Sequence, residues 1–215
     1  MTHNPPAPNW GLHILRAVLG AVFGLAVTAP FLAYAGPALA LGGSGAIALS
    51  GVAIIYAMMG LTVGLGTLMP RGGAKVLNVG GPDDLVDQRA VLLGSAAGSL
   101  VIGGALMLLA LAGPAGVIPA GLALSALAFS MVLTALIGVL QWRQYDELMR
   151  ALSSEGGAIA FMLSLAVLGG WAALAHLGRA VPLEPLWVLA LTALFLLVGS
   201  FIAAGRRGLL IKDPD

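Results

Sequence analysis

Side chains able to do acid, base or ligand chemistry are almost missing from the long apolar runs of this chain. Of its 215 residues, 60% are hydrophobic and 9% are charged, and only 3 are His. The histidines lie far apart, at His3, His13 and His176. The latter two fall at opposite ends of their apolar runs, so they cannot both be axial ligands of one haem. The sequence therefore argues against a proton relay, a haem site or a metal centre within these runs.

Patterns for covalent or phosphate chemistry are missing as well. The chain has no Cys, which excludes disulfides, thiolate metal sites and cysteine nucleophiles. Residues 72–82 are rich in Gly but lack the Gly-Lys-Ser/Thr ending of a phosphate loop. A net charge of +1 offers no concentrated basic face for nucleic acid. We expect no nucleic-acid partner and no catalytic, cofactor or metal residue, which leaves an enzyme as the least favoured interpretation.

Six uncharged runs are long enough to cross a bilayer, which requires roughly 20 mostly apolar residues. They cover about residues 17–35, 45–69, 90–112, 117–142, 156–177 and 186–204. Each run is apolar on all sides, as is typical of lipid-facing helices. The sequence predicts an all-α integral membrane protein, with residues 1–215 forming one transmembrane domain. This domain is a compact bundle of six transmembrane helices with short loops.

The basic residues predict the orientation of the bundle. With six spans, one side of the membrane receives nine of the ten Lys and Arg residues, and the other side receives Arg179 alone. Basic residues in short loops mark the cytoplasmic side. We therefore expect both termini to lie in the cytoplasm. The short loops and the Ala, Gly and Leu content favour the inner membrane of a bacterium.

Two cytoplasmic links, which we call the elbows, cover residues 70–89 and 143–155 and hold most of the charge. Asp83 and Asp146 stand where a helix is expected to start, so they are predicted to cap free N–H groups. Asp146 and Arg150 are four residues apart, which suits an ion pair on one helical face. Contact with a ligand, an ion or a partner is the alternative. The elbow residues singled out are Asp83, Asp84, Asp87, Arg89, Asp146, Glu147, Arg150 and Glu155.

Small residues four apart predict close helix contacts, because they let two backbones approach and let hydroxyl groups bond across the interface. The candidates for helix or partner contacts are Gly20, Gly24, Gly60, Gly64, Gly94, Ser95, Gly98 and Ser99. Packing within this chain and contact with another chain are both open.

These observations favour a non-catalytic integral membrane subunit, or an assembly or stabilising factor, of a larger membrane complex. The expected partners are the lipid bilayer and other membrane subunits or further copies of the chain. Structural lipid is expected, but no cofactor. The alternative function is a small transporter or permease for a neutral or lipidic substrate, acting alone or as a homo-oligomer. Gly-rich spans can supply a broken-helix site for such a substrate.

Overall fold

A computed structural model of the chain describes residues 26–27, 29–31, 33–40, 42–77, 81–112 and 116–209. This part of the chain is helical and contains no strand. Beyond the helical residues 33–40, its helices are α1 Gly43–Leu68, α2 Pro70–Val76, α3 Pro82–Asp87, α4 Arg89–Ala110, α5 Ala120–Gln141, α6 Glu147–His176 and α7 Pro185–Arg206. Five of them, α1, α4, α5, α6 and α7, are long and apolar enough to cross a membrane. These are helices of the kind that form integral membrane proteins.

Four of the five spanning helices have ends within about three residues of the predicted runs. The exception is α6, which begins at Glu147 and not near residue 156. The sequence places its charged first turns in an elbow because a charged side chain is costly in hydrocarbon. A helix satisfies its own backbone, however, and therefore extends beyond the apolar region into water. The predicted first span lies largely outside the described residues.

The spanning helices follow one another in space in the order α5, α4, α1, α7, α6. The contact of α1 with α4 is the most extensive, followed by α6 with α7, α4 with α5, and α1 with α7. The two helices at the ends of this row, α5 and α6, are consecutive in the sequence. Among the described residues, neither α5 nor α6 packs substantially against a second spanning helix.

The row is curved. Packed helices lie 8–10 Å apart, so a straight row of five would separate its end helices by roughly 35 Å. The link between α5 and α6 consists of residues 142–146 only, and such a segment reaches about 20 Å when fully extended. The two ends of the row therefore approach each other where this link lies. There, Arg150 Nη2 of α6 donates to the Trp142 carbonyl just after α5, at 3.3 Å.

One end of the bundle carries most of the positive charge. It holds α2, α3 and the α5–α6 link, and we call it the basic end. Seven of the eight described Lys and Arg residues lie there, whereas Arg179 lies at the opposite end. The interhelix contacts of Gln141 with Val91 and of Glu155 with Arg206 bring the corresponding helix ends together. Because the helix directions alternate, the C-terminal ends of α1, α5 and α7 and the N-terminal ends of α4 and α6 lie on this side.

The core surrounds α1, which contacts both α4 and α7. Leu49, Val52 and Ala53 of α1 are buried against Leu106 of α4 and Leu197 of α7. Leu39 from the helical residues 33–40 completes the same cluster and is fully buried. Burying such side chains fills the spaces between helices, and dispersion contacts between closely packed atoms contribute stability.

Two glycines allow α1 and α4 to approach each other. A Cβ atom built at Gly103 of α4 would lie 2.9 Å from the Ala53 carbonyl oxygen and 3.0 Å from the Ala57 nitrogen of α1. At Gly60 of α1 it would lie 2.7 Å from Leu100 Cγ. At Gly103 the obstacle is backbone, which cannot rotate away as a side chain can. The separation of the two helices therefore depends on the missing side chain at this position.

Replacement of Gly103 by Ala is expected to lower the free energy of unfolding by about 1–3 kcal/mol, because the added methyl overlaps the backbone of α1. The matched control is Gly104→Ala, since no described heavy atom lies within 4 Å of a Cβ at that position. The control is expected to be neutral or to stabilise by up to about 1 kcal/mol, because Ala favours helix more than Gly does. Thermal unfolding in detergent measures both. Equal effects of the two substitutions would contradict the close approach.

Candidate functional site

Acidic, basic and histidine side chains of the described spanning helices lie toward the helix ends and not in their central parts. In the five spans they are Arg89, Glu147, Arg150, Glu155, His176 and Arg206. No group of three or more His, Asp or Glu residues able to hold a metal occurs among the described residues. Candidate sites therefore lie at the two ends of the bundle and on its helix faces.

The buried polar side chains of the described spans are bonded to backbone carbonyls. The hydroxyls of Ser50, Thr67 and Ser130 donate to carbonyls three or four residues earlier at 2.7–2.8 Å. Tyr56 of α1 differs, since its hydroxyl donates across the interface to the Ala193 carbonyl of α7 at 2.9 Å. No buried side-chain nitrogen or oxygen in the described part lacks a hydrogen-bond partner. Of these hydroxyls, that of Tyr56 alone joins two helices, whereas the other three satisfy their hydrogen bonds within their own helix.

Glu184 binds the start of α1 at the end opposite the basic one. Its Oε2 accepts from the Gly45 N–H at 2.8 Å, and its Oε1 accepts from Ser44 Oγ at 3.1 Å. Trp187 Nε1 donates to the same Ser44 Oγ at 2.9 Å. A carboxylate is favourable there because the first N–H groups of a helix are unpaired and carry partial positive charge. Glu184 thus caps a helix that lies about 140 residues away in sequence.

Small residues around this cap make room for the carboxylate. A Cβ atom at Gly45 would lie 2.8 Å from Glu184 Oε2, and Gly43 has a φ of +79°, which other L residues rarely adopt. Sequence reasoning missed Glu184. In the sequence, Glu184 is a lone acidic residue in a short loop and is followed by Pro185. Its partner, the Gly-Ser-Gly start of α1, lies across the bundle.

A second carboxylate, Glu155 of α6, joins the basic ends of α6 and α7. Its Oε1 lies 3.1 Å from Arg206 Nη1, and its Oε2 lies 3.2 Å from both Nε and Nη2 of Arg207. The Glu155 side chain is 25% exposed, whereas that of Arg206 is 67% exposed. Exposed pairs of this kind contribute at most about 1 kcal/mol. These bonds hold the basic end of α6 against that of α7. With two Arg residues and one Glu, the cluster keeps a net positive charge.

The α5–α6 link contains a helix cap that the sequence predicts and an ion pair that it predicts wrongly. Asp146 Oδ1 accepts from the Met149 N–H at 2.7 Å, which confirms Asp146 as the cap of α6. Arg150 does not pair with Asp146, because that carboxylate faces the helix backbone. Its guanidinium instead binds Trp142 O, one of the carbonyls left unpaired where α5 ends. Arg150 therefore joins α6 to the end of α5 and does not form an ion pair within α6.

Gln141 is another residue that sequence reasoning missed. Its side chain is buried at the end of α5, and Nε2 donates to the Val91 carbonyl at 3.0 Å and to the Ala90 carbonyl at 3.3 Å. A Cβ atom at Gly94 would overlap the Gln141 amide. The missing side chain at Gly94 thus makes space for a polar contact between α4 and α5.

The first elbow is mostly helical and folds back on α1. Gly72 and Gly73, which the sequence places in the first elbow, lie in α2, and a Cβ atom at Gly73 would overlap the Gly66 backbone of α1. The cap of α3 is Gly81 and not Asp83, because Pro82 begins the helix. Among the singled-out residues, Asp84 Oδ2 accepts from the Gly81 N–H at 3.1 Å, while Asp83, Asp87 and Arg89 are exposed. Glu147 lies in the first turn of α6 and is also exposed.

The structure places four of the small-residue candidates between helices of this chain. Gly60 and Gly64 of α1 face Ala96 of α4, while Gly94 and Gly98 of α4 face Gln141 and Thr134 of α5. Ser95 is exposed and Ser99 is partly exposed. Gly20 and Gly24 lie outside the described residues. A partner surface therefore has to be sought on faces other than these glycine contacts.

The spanning helix α6 changes its winding partway along. Its residues Leu165–Gly169 are π-helical, with α-helix before and after them. Leu165 and Val167 in this segment are 59% and 40% exposed. Single turns of π-helix are rare and are frequent at functional sites. This segment is the main irregularity within a described span.

No family model matches this chain, and no curated protein or solved structure matches it either. Function must therefore be inferred from the bundle itself.

Loss of the Glu184 carboxylate is expected to destabilise the start of α1. Glu184→Ala removes both acceptors and is expected to cost about 1 kcal/mol, as loss of a helix cap does. Glu184→Gln keeps one acceptor oxygen and should recover part of this loss. Thermal unfolding and hydrogen exchange of the Gly45 amide measure the effect. Unchanged protection of that amide in Glu184→Ala would contradict the cap.

Proposed function

We propose that this protein is a non-catalytic integral membrane subunit, or an assembly or stabilising factor, of a larger membrane protein complex. The observation that carries the proposal is the position of α5 and α6 at the ends of the row, where each uses one face for packing within the chain. Their remaining faces are apolar. Such faces suit other membrane helices as well as lipid.

The outer faces of α5 and α6 carry large side chains well suited to helix packing. Phe129 and Val132 of α5 are 64% and 69% exposed, and Phe161 and Met162 of α6 are similarly exposed. The glycine contacts that hold the chain together lie elsewhere. A partner can therefore dock on α5 or α6 without competing with the internal packing of this chain.

The polar groups of the chain support a binding role over a catalytic one. The described carboxylates Glu155 and Glu184 bind other helices, and the hydroxyl of Tyr56 binds a backbone carbonyl. Chemistry within a membrane usually relies on ionisable residues facing a cavity. In this chain the corresponding groups hold helices together.

The proposed location is the inner membrane of a bacterium, with six spans forming one domain and both termini in the cytoplasm. Clustering of Lys and Arg at the basic end supports this orientation through the positive-inside rule. Aromatic residues support two membrane interfaces. Trp142 and Tyr145, whose ring centres are 6.1 Å apart, lie at the basic end, and Trp171 and Trp187 lie toward the other.

The π-helical segment of α6 favours a second candidate, a small transporter or permease for a neutral or lipidic substrate. Irregular backbone at membrane depth commonly lines a cavity or a protein contact. If this candidate is correct, the purified chain alone, as a monomer or homo-oligomer, supports substrate flux across liposomes.

Purification of the tagged chain from its native membrane in mild detergent is expected to recover a defined set of companion proteins. Val132→Trp on α5 and Met162→Trp on α6 are expected to reduce their recovery roughly tenfold, because an overlap at a packed interface costs about 1–3 kcal/mol. The control is Leu196→Trp on α7, a position that is 49% exposed. Quantitative mass spectrometry measures recovery. Isolation of the wild-type chain without companions would contradict the subunit proposal and favour transport.

Orientation is tested with single cysteines, since the natural chain has none. Gln144→Cys lies in the α5–α6 link and Pro182→Cys lies in the loop before α7, and both residues are exposed. A membrane-impermeant maleimide added to intact cells is expected to label Pro182→Cys alone, because the basic end faces the cytoplasm. After permeabilisation it should label both. The reverse pattern in intact cells would contradict the proposed orientation.

A further inference from the structure

A shallow depression runs along one side of α5 at the basic end. Its lining consists of Ala135, Gly138, Val139, Trp142 and Arg143. This spacing of three and four residues places the lining on one side of the helix. No described heavy atom lies within 4 Å of a Cβ built at Gly138. The floor of the depression is thus formed by small side chains and backbone, and its length follows the helix axis.

The rim of the depression carries positive charge. Arg143 is exposed and forms no ion pair with a described residue. The guanidinium of Arg150 donates to the backbone carbonyl of Trp142, the residue before Arg143. The acidic residues of this link are Asp146, whose carboxylate caps α6, and Glu147 in the first turn of α6. An anionic group beside Trp142 would therefore meet the guanidinium group of Arg143.

A second depression at the basic end has the same chemical character. Its lining is Met69, Pro70, Arg71, Gly72 and Pro82, which again combines apolar groups with one Arg. Both depressions lie where spanning helices leave the apolar region. A ligand that matches them has an apolar chain that lies along a helix and an anionic group at the membrane interface.

We propose that the depression on α5 binds one anionic phospholipid. An acyl chain lies on Ala135, Gly138 and Val139, the ring of Trp142 lies at the depth of the glycerol, and the phosphate pairs with Arg143. Trp is favoured at this depth because its ring is apolar and its N–H is polar. Basic residues next to the membrane attract anionic headgroups. The proposal rests on the membrane location proposed above and not on the existence of protein partners.

Two substitutions separate the charge of the site from its shape. Arg143→Gln removes the charge, and Gly138→Leu fills the depression while keeping the charge. The matched controls are Arg179→Gln at the opposite end and Gly121→Leu at the far end of α5, where a Cβ also meets no described atom within 4 Å. Arg143→Lys retains the charge. All four positions are exposed or open, so each of the five variants is expected to unfold at the wild-type temperature.

The probes are phosphatidylglycerol, which is anionic, and phosphatidylcholine, which is zwitterionic. The chain is purified alone, equilibrated with each lipid in detergent and analysed by native mass spectrometry. Wild type is expected to retain phosphatidylglycerol in preference to phosphatidylcholine. Arg143→Gln should reduce phosphatidylglycerol retention about fivefold, as expected for loss of one basic residue near a membrane surface. Gly138→Leu should reduce it as well, whereas Arg143→Lys and both controls should retain it.

Equal retention of the two lipids by wild type would overturn the proposal. Equal effects of Arg143→Gln and Arg179→Gln, or of Gly138→Leu and Gly121→Leu, would also overturn it. These outcomes do not depend on companion proteins, because the lipid is added to the isolated chain. A missing companion set in the native membrane would contradict the subunit proposal and leave the lipid result unchanged.

Discussion

Close backbone contact between α1 and α4 is the interaction on which the rest of the bundle depends. Lipid chains are as apolar as helix side chains, so apolar burial alone gives helices little reason to associate inside a membrane. Close packing must supply the attraction, and Gly60 and Gly103 permit it. With α4 held on one side, α1 uses Tyr56 and Leu49 on the other parts of its surface to hold α7 and the helical residues 33–40. Among the other described spans, α5 packs on α4 and α7 packs on α1, while α6 joins the bundle through α7.

Polar contacts complement this packing at the two ends of the bundle, where water is available to charged groups. Glu184 caps α1 at one end, while Glu155 and Gln141 bind neighbouring helices at the other. Each bond is modest in free energy, but its geometry sets which helix ends lie side by side. The interior is therefore held by close packing and by the Tyr56–Ala193 hydrogen bond, whereas the ends are held by several directed hydrogen bonds. This division leaves the outer faces of α5 and α6 without an internal role, which is why we assign them to a partner or to lipid.

The elements that sequence determines by itself are those with a local physical cause. A span needs roughly 20 apolar residues because hydrocarbon cannot solvate a charged side chain or an unpaired backbone group. This requirement places α1, α4, α5 and α7 to within about three residues. The cap at Asp146 is equally local, because its carboxylate bonds an N–H only three residues away. Charge patterning likewise predicts the basic end from the order of the loops.

Tertiary structure decided the features that join distant parts of the chain. Glu184 binds Gly45, which is 139 residues away in sequence, and Gln141 binds Val91, which is 50 residues away. No local sequence pattern predicts either contact. Arg150 binds the end of α5 and not the nearby Asp146, because the fold brings an unpaired backbone carbonyl within hydrogen-bond distance. The helix α6 begins nine residues before its apolar run, because the limits of a helix are set by its backbone hydrogen bonds and not by the edge of the hydrocarbon. The spacing of glycines indicated close contacts, but only the packed bundle showed which helix each glycine faces.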